Sequence, residues 1–130
     1  MKNIEVVAAV LIQDGKVFAA QRNAKGEVGL KWEFPGGKTE AGESHHEALA
    51  RELHEELGIQ VQVGDFLMTI NHQYQAFALT MHCYFTTVLS GTLTLHEHIA
   101  SRWLGRDDLE TVDWAPADVP VLERIRDLLK

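Results

Sequence analysis

Between Gly37 and Ile59 the chain reads GKTEAGESHHEALARELHEELGI, and this stretch restricts the fold more than any other. Ser44 with Glu47 three residues on has the form of a capping box, a hydroxyl closing the first turn and a carboxylate reaching back. The spacing predicts a helix from there to Leu57, with Gly58 as its left-handed stop. Leu49, Leu53 and Leu57, with Ala50, form its apolar stripe, so the helix must lie against a core. Glu52, Glu55 and Glu56 stand at i, i+3 and i+4 on a largely opposed arc, close enough to repel one another. A divalent cation between them would turn that repulsion into attraction. Taken alone, an acidic helix face is more often plain solvated surface, so the neighbouring residues have to decide.

Around this helix the chain reads mainly as strands. Ile4–Gln13 and Lys16–Gln21 flank Asp14-Gly15, a two-residue hairpin signal, and the unbroken apolar character of the first strand predicts a central place in a sheet. Arg22–Lys31 is a polar loop, Trp32–Phe34 a short extended piece, and Pro35-Gly36-Gly37 a turn that lets a ligand approach the backbone. Gln60 to Thr69 or His72 is a strand with a break expected at Gly64-Asp65. Phe77–Val88 alternates at period two, with Cys83 on its core face. Thr92–Leu95 and Ser101–Leu104 are further short strands, and Arg106–Glu110 is a helical turn. Asp118 caps a last helix whose apolar face is Val121, Leu122, Ile125, Leu128 and Leu129. A hairpin, a helix, several strands and a closing helix imply a mixed sheet between helices.

Composition narrows the function. At 130 residues with 45% hydrophobic residues, the chain can bury one core, and a single domain over residues 1–130 is expected. The net charge of −7 argues against nucleic-acid polymers and acidic membranes as partners, and an anionic ligand would need cations between it and the protein. The single cysteine, Cys83, allows no internal disulfide and fits a reducing compartment. With no signal-peptide pattern and no run of membrane-spanning length, the expected location is cytoplasmic.

Gly37, Glu43, Arg51, Glu52, Leu53, Glu55, Glu56, Gly58 and Ile59 fit the pattern G-x5-E-x7-R-E-U-x-E-E-x-G-U, with U aliphatic and no position missing. This is the Nudix box, and so many specified positions make it a strong signal. With WEFPGGK before it, HEH after it and WAPADVP near the end, most of the chain resembles the MutT-like branch of the Nudix hydrolases. The HEH and APADVP segments are most similar to CTP pyrophosphohydrolases. The resemblance implies an α/β fold, the Nudix α/β/α sandwich with a mixed central sheet. It also implies Mg²⁺-dependent hydrolysis of a nucleoside triphosphate to the monophosphate and pyrophosphate.

Clustered oxygen donors suit Mg²⁺, with Mn²⁺ able to substitute. Glu52, Glu55 and Glu56 are the expected ligands, joined through the resemblance by the Gly36 carbonyl and by Glu97. Arg51 is expected to pair with Glu43 or Glu52 and orient it. Glu52 and Glu97 are both candidates for the general base. Similar proteins imply phosphate contacts for Arg22, and Lys38 could act likewise from the Gly36-Gly37 loop. Phe34 is placed to pack on the base. His96 and His98 lack a third soft ligand and read as solvated loop residues; His45 and His46 read as surface.

Asp118 has two readings, a simple helix cap or the residue that reads the base. A carboxylate there suits the exocyclic amine of cytosine, whereas the MutT pattern for oxidised guanine has an asparagine. The expected substrate is therefore CTP, dCTP or a modified cytosine nucleotide. An 8-oxo-dGTP diphosphatase is the alternative enzyme, and a non-catalytic nucleotide-sensing module is the alternative of another class. The partner is a small-molecule nucleotide, and the chain is expected to be a monomer or homodimer.

Overall fold

The computed structural model describes residues 2–130. Its strands are β1 (Lys2–Gln13), β2 (Lys16–Gln21), β3 (Trp32–Glu33), β4 (Gly36–Lys38), β5 (Gln60–Gln73), β6 (Phe77–Ser90) and β7 (Ala100–Leu104); its helices are α1 (His45–Leu57) and α2 (Val119–Ile125). Everything is hung on β1. Val7 to Leu11 are all buried, which requires cover on both faces of that strand. Alternation divides them: Val7, Ala9 and Leu11 join Leu49, Leu53 and Leu57 of α1, while Ala8 and Val10 join Met81, Cys83, Val121 and Ile125 beneath α2. The result is a mixed sheet between two helical layers.

β1 pairs in parallel with β6 from Lys2↔Phe77 to Leu11↔Thr86, and β5 lies antiparallel on the far side of β6. Parallel neighbours need a crossover, which α1 and β5 supply. On its other edge β1 holds two partners in succession. Val6–Ala8 pair with β4, and the end of β1 turns into β2 through Asp14 and Gly15, both at positive φ. β2 is flanked by β3 and β7, so the sheet forks where β1 changes partner. β4 occupies the fork.

α1 has the expected ends. The Ser44 side chain accepts from Glu47 N–H, the Glu47 carboxylate accepts from Ser44 N–H, and Gly58 closes the helix at φ 68°. Its buried stripe uses Ala48 where Ala50 was expected, because Ala48 faces the sheet and Ala50 is only half-buried.

Five other expectations change. The segment Pro35-Gly36-Gly37 does not form an open turn, since Gly36–Lys38 is a strand paired with β1. β5 runs through Gly64-Asp65 without stopping, absorbing them as register shifts against β6. Thr92–Leu95 is not a strand: Thr94 N–H and His96 N–H donate to the carbonyls of Leu57 and Glu56, so the chain caps the end of α1. Asp118 makes no side-chain cap on α2, and Leu128 is 54% exposed, because the chain tightens into a 3₁₀ turn over Arg126–Leu128 and rotates it off the apolar face. Among the described residues no helix is long and apolar enough to cross a membrane.

Ser44→Ala removes one of the two reciprocal hydrogen bonds at the start of α1 and should cost about 1 kcal/mol. Urea unfolding would show this as a lower midpoint with an unchanged slope; no shift would mean that packing alone holds this end of α1.

Candidate active site

Only part of the acidic arc of α1 faces open solvent. Glu56 is only 7% exposed, lying under β4 and the fork of the sheet, while Glu55 remains exposed and Glu52 is half-buried. The glycines explain how the layers come so close. A methyl group on Gly37 would overlap the Glu52 carboxylate, and one on Gly36 would overlap the Val7 carbonyl oxygen of β1. Neither glycine has positive φ, so space and not backbone conformation demands them.

Arg51 holds the acidic residues in register. Its Nε and Nη2 bind the two Glu43 oxygens at 2.7 and 2.9 Å, a bidentate pair. Nη1 reaches Glu52 Oε1 at 2.9 Å and Glu55 Oε2 at 3.3 Å, and Nη2 also donates to the Lys38 carbonyl at 3.1 Å. The expected pairing with Glu43 or Glu52 is thus met by both at once.

The carboxylates repel one another. Burial raises the Glu52 carboxyl above its usual value, opposed by Arg51 and reinforced by Glu55 and Glu97. Burial pushes Glu56 up to about 9, with Glu52, Glu33 and Glu97 adding to the shift. Glu56 Oε2 is buried without any hydrogen-bond partner. A buried carboxylate oxygen with nothing to satisfy it, among other carboxylates, fits a hard divalent cation. The donors that could hold one are Glu52, Glu55, Glu56 and Glu97, and Gly36 borders the group through a backbone hydrogen bond to the Glu56 carboxyl.

A cavity of about 310 Å³ opens next to this cluster. Glu56, Glu97, Gly36, Gly37, Lys38 and Arg22 line it, and so do Phe34, Tyr74, Phe77, Met81 and Asp118. It lies on the α2 face of the sheet, where Val6 and Ala8 of β1 form its floor. Phe34 is almost wholly buried, with its ring 4.8 Å from that of Trp114.

Asp118 is 4% exposed, and its Oδ1 accepts from Phe34 N–H at 3.1 Å. Backbone bonds from Trp32 N–H to Asp113 O and from Ala115 N–H to Trp32 O bring the two segments together. Burial, and then the nearby Glu33, raise the Asp118 carboxyl well above the usual range, which favours its neutral form. Of its two readings, the cap is the one the structure removes.

Two residues of this site escaped the sequence reading. Glu33 binds Arg22 Nη1 at 3.0 Å and His98 Nε2 at 2.9 Å, so Arg22 is committed to a carboxylate as it lines the cavity, with its Nε buried and unpartnered. A two-residue strand offers no periodicity from which to orient Glu33, and His98 lies 65 residues away. His98 itself is buried, against the expectation of a solvated loop histidine, because its segment folds back over the site. His96 does stay exposed, bonded through Nδ1 to the Glu55 carbonyl. Cys83 is core as expected, its thiol pushed up to about 12 by burial.

The NUDIX domain model matches residues 6–124 of the chain. The chain is 42% identical over 123 residues to CTP pyrophosphohydrolase of Escherichia coli strain K12, covering 95% of this chain and 91% of that protein. It is 38% identical over 125 residues to the putative 8-oxo-dGTP diphosphatase 2 of Mycobacterium tuberculosis, covering 91% and 84%. Among solved structures, the crystal structure of a MutT NUDIX hydrolase from Burkholderia pseudomallei superposes with a TM-score of 0.86 at 25% identity, covering 96% and 99%.

The raised Glu56 carboxyl has a consequence for stability. The unfolded chain ionises Glu56 near the ordinary value of 4.5, whereas the folded chain keeps the proton up to about 9. The folded state therefore binds the extra proton across that window, and stability should fall as pH rises through it. With divalent ions removed by EDTA, the urea midpoint should drop between about pH 5 and about pH 9, and Glu56→Gln should remove most of that slope. A slope unchanged by Glu56→Gln would show that this carboxyl ionises as freely folded as unfolded.

Proposed function

We propose that this chain, which belongs to the NUDIX domain family, is a Mg²⁺-dependent nucleoside triphosphate diphosphatase that prefers cytosine nucleotides and releases a nucleoside monophosphate and pyrophosphate. The observation that carries this reading is that one cavity is lined both by Glu56 and Glu97 and by Phe34 and Asp118. Charge for a phosphate chain and a surface for a base thus adjoin each other. The relative named for CTP supports the choice of base.

Glu52, Glu55, Glu56 and Glu97, with the Gly36 carbonyl, would hold the Mg²⁺. Bound there, the ion supplies neutralising charge for the phosphate oxygens and acidifies water. Arg51 is a positioning residue: it fixes Glu52 Oε1 at 2.9 Å while its other donors are taken up by Glu43, Glu55 and the Lys38 carbonyl. Glu52 is the proposed general base, since partial burial makes its carboxylate a better proton acceptor than an exposed one. Glu97 is the other candidate. Lys38 extends from the exposed end of β4 toward the space a phosphate chain would occupy, and Arg22 reaches the same cavity through its pairing with Glu33.

Phe34 offers its ring to the base in the apolar part of the cavity, beside Tyr74 and Met81. Asp118 in its neutral form has its hydroxyl as a donor, and Oδ1 keeps a second lone pair beside the one that Phe34 N–H takes. Cytosine presents the complement, a ring nitrogen that accepts and an exocyclic amine that donates. An ionised Asp118 would set its charge against that ring nitrogen, so the burial that keeps it neutral favours cytosine.

Pyrophosphate release should be measured with Mg²⁺ across CTP, dCTP, 5-methyl-dCTP, 8-oxo-dGTP and the common triphosphates. Cytosine nucleotides should lead; fastest turnover of 8-oxo-dGTP would transfer the base assignment to oxidised purine and leave the phosphate chemistry intact. Saturable binding without hydrolysis of any of them would make the chain a nucleotide sensor. Glu55→Gln or Glu56→Gln should lower turnover by a factor on the order of 10² or more with the fold retained. A loss of about twofold or less would mean that the metal is held elsewhere. Asp118→Leu, which keeps the volume but offers neither donor nor acceptor, should reorder the bases more than it lowers the maximal rate. An unchanged order with lower stability would reduce Asp118 to an acceptor for Phe34 N–H.

A further inference from the structure

The α1 face of the sheet carries a second group of ligand-type side chains, apart from the nucleotide cavity. Glu5, His45 and His82 each bring one donor atom to within 4.8 Å of the other two, and none of them lines the cavity. Three elements supply them. Glu5 is on β1, on the same face as Val7 and Ala9; His82 is on β6, directly across from Val7; His45 is the first residue of α1. His45 is not the plain surface residue expected from its place in the first helical turn. It is half-buried, and its ring stacks on that of His82 at 4.4 Å with 23° between the planes.

The surroundings of the two histidines carry the argument. His82 Nδ1 is hydrogen-bonded to Thr69 Oγ1 at 2.8 Å, and His45 Nδ1 to Tyr84 Oη at 2.7 Å. Each hydroxyl can accept the Nδ1 proton, which leaves the Nε2 lone pair as the ligand. A second hydrogen bond that fixes tautomer and ring orientation is the usual support of a metal-binding histidine. His82 Nε2 already lies 3.2 Å from Glu5 Oε2. Zn–N bonds of about 2.0–2.1 Å set the ligand atoms of a tetrahedral site roughly 3.3 Å apart, so that pair is at ligand spacing. The more exposed Glu5 is free to adjust.

We propose that Glu5, His45 and His82 form a site for a zinc-class divalent cation that ties the first turn of α1 to β1 and β6. Two imidazoles and one carboxylate favour Zn²⁺ over Mg²⁺, whereas the all-oxygen cluster at the other end of α1 has the opposite preference. The two sites therefore separate by ion chemistry. Three protein ligands leave the fourth position to water. Thr69 and Tyr84 are positioning residues that act through the histidines.

The test uses the full chain with Mg²⁺ kept saturating, so that the oxygen cluster is occupied. Zn²⁺ is titrated by calorimetry, Co²⁺ serves as a visible-absorbing probe, and the thermal midpoint is recorded with and without Zn²⁺. One equivalent of Zn²⁺ should bind and raise the midpoint. His82→Gln or His45→Gln should weaken binding about tenfold or more and remove that rise, and Thr69→Val should weaken it to a smaller extent. Glu55→Gln should leave Zn²⁺ binding unchanged. If either histidine variant fails to fold by circular dichroism, Glu5→Gln at a half-exposed position replaces it. Zn²⁺ affinity unchanged in the His45→Gln/His82→Gln double variant, or lost in Glu55→Gln, would overturn the proposal.

Discussion

The Arg51 guanidinium is the contact on which the acidic end of this molecule depends. Glu43, Glu52 and Glu55 all reach it at 3.3 Å or less, and Glu40 follows at 3.7 Å. Without that charge, the box would gather carboxylates on one arc with nothing to offset their repulsion. Arg51 also ties the helix to β4 through the Lys38 carbonyl, so the same side chain sets both the charge and the geometry of the cluster. Its planar fork allows this; a lysine has no second nitrogen row with which to hold Glu43 bidentate while reaching Glu52. What Arg51 does not reach is Glu56. That residue is left buried and half-satisfied, the position from which a cation would gain most.

Charge is confined to one part of a structure otherwise organised by β1. Because both faces of this strand are covered, one run of five small and branched residues serves two cores. The fork at β4 then creates the site. A β-strand made of Gly36 and Gly37 can lie between the backbone of β1 and the carboxylate of Glu52, where any side chain would collide with one or the other. The site is thus a product of close packing, and its rigidity comes from strand pairing more than from loop conformation.

The opposite wall shows the same economy. Asp118 spends one oxygen on Phe34 N–H and thereby joins the segment after β3 to the turn before α2. Glu33, Arg22 and His98 form a polar chain beside it, drawn from β3, the loop after β2 and the segment before β7. Glu33 raises the proton affinity of both Glu56 and Asp118. One glutamate therefore couples the phosphate end of the cavity to its base end electrostatically. That coupling needs no moving part.

Local chemistry was legible from the residues alone. Ser44, Glu47 and Gly58 specify the ends of α1 by hydrogen bonds and backbone freedom within a few positions, and Leu49, Leu53 and Leu57 specify its buried face by helical period. The unbroken apolar run of β1 foretold a central strand, and the spacing of Glu52, Glu55 and Glu56 foretold an acidic cluster. Long-range partners were not legible. Nothing near Thr92–Leu95 tells that its amides will be taken by α1 carbonyls, so its alternation read as a strand. Nothing near Asp118 tells that Phe34, 84 residues away, will claim the oxygen a helix cap would use. The burial of Glu56 and His98, the Arg22–Glu33–His98 chain and the histidine pair on the α1 face likewise depend on which strands become neighbours. Sequence by itself determined the central strand, the helix that carries the carboxylates and the family. Tertiary structure decided which polar groups lose water and which partners they then find, because desolvation is a property of the assembled layers and has no local code.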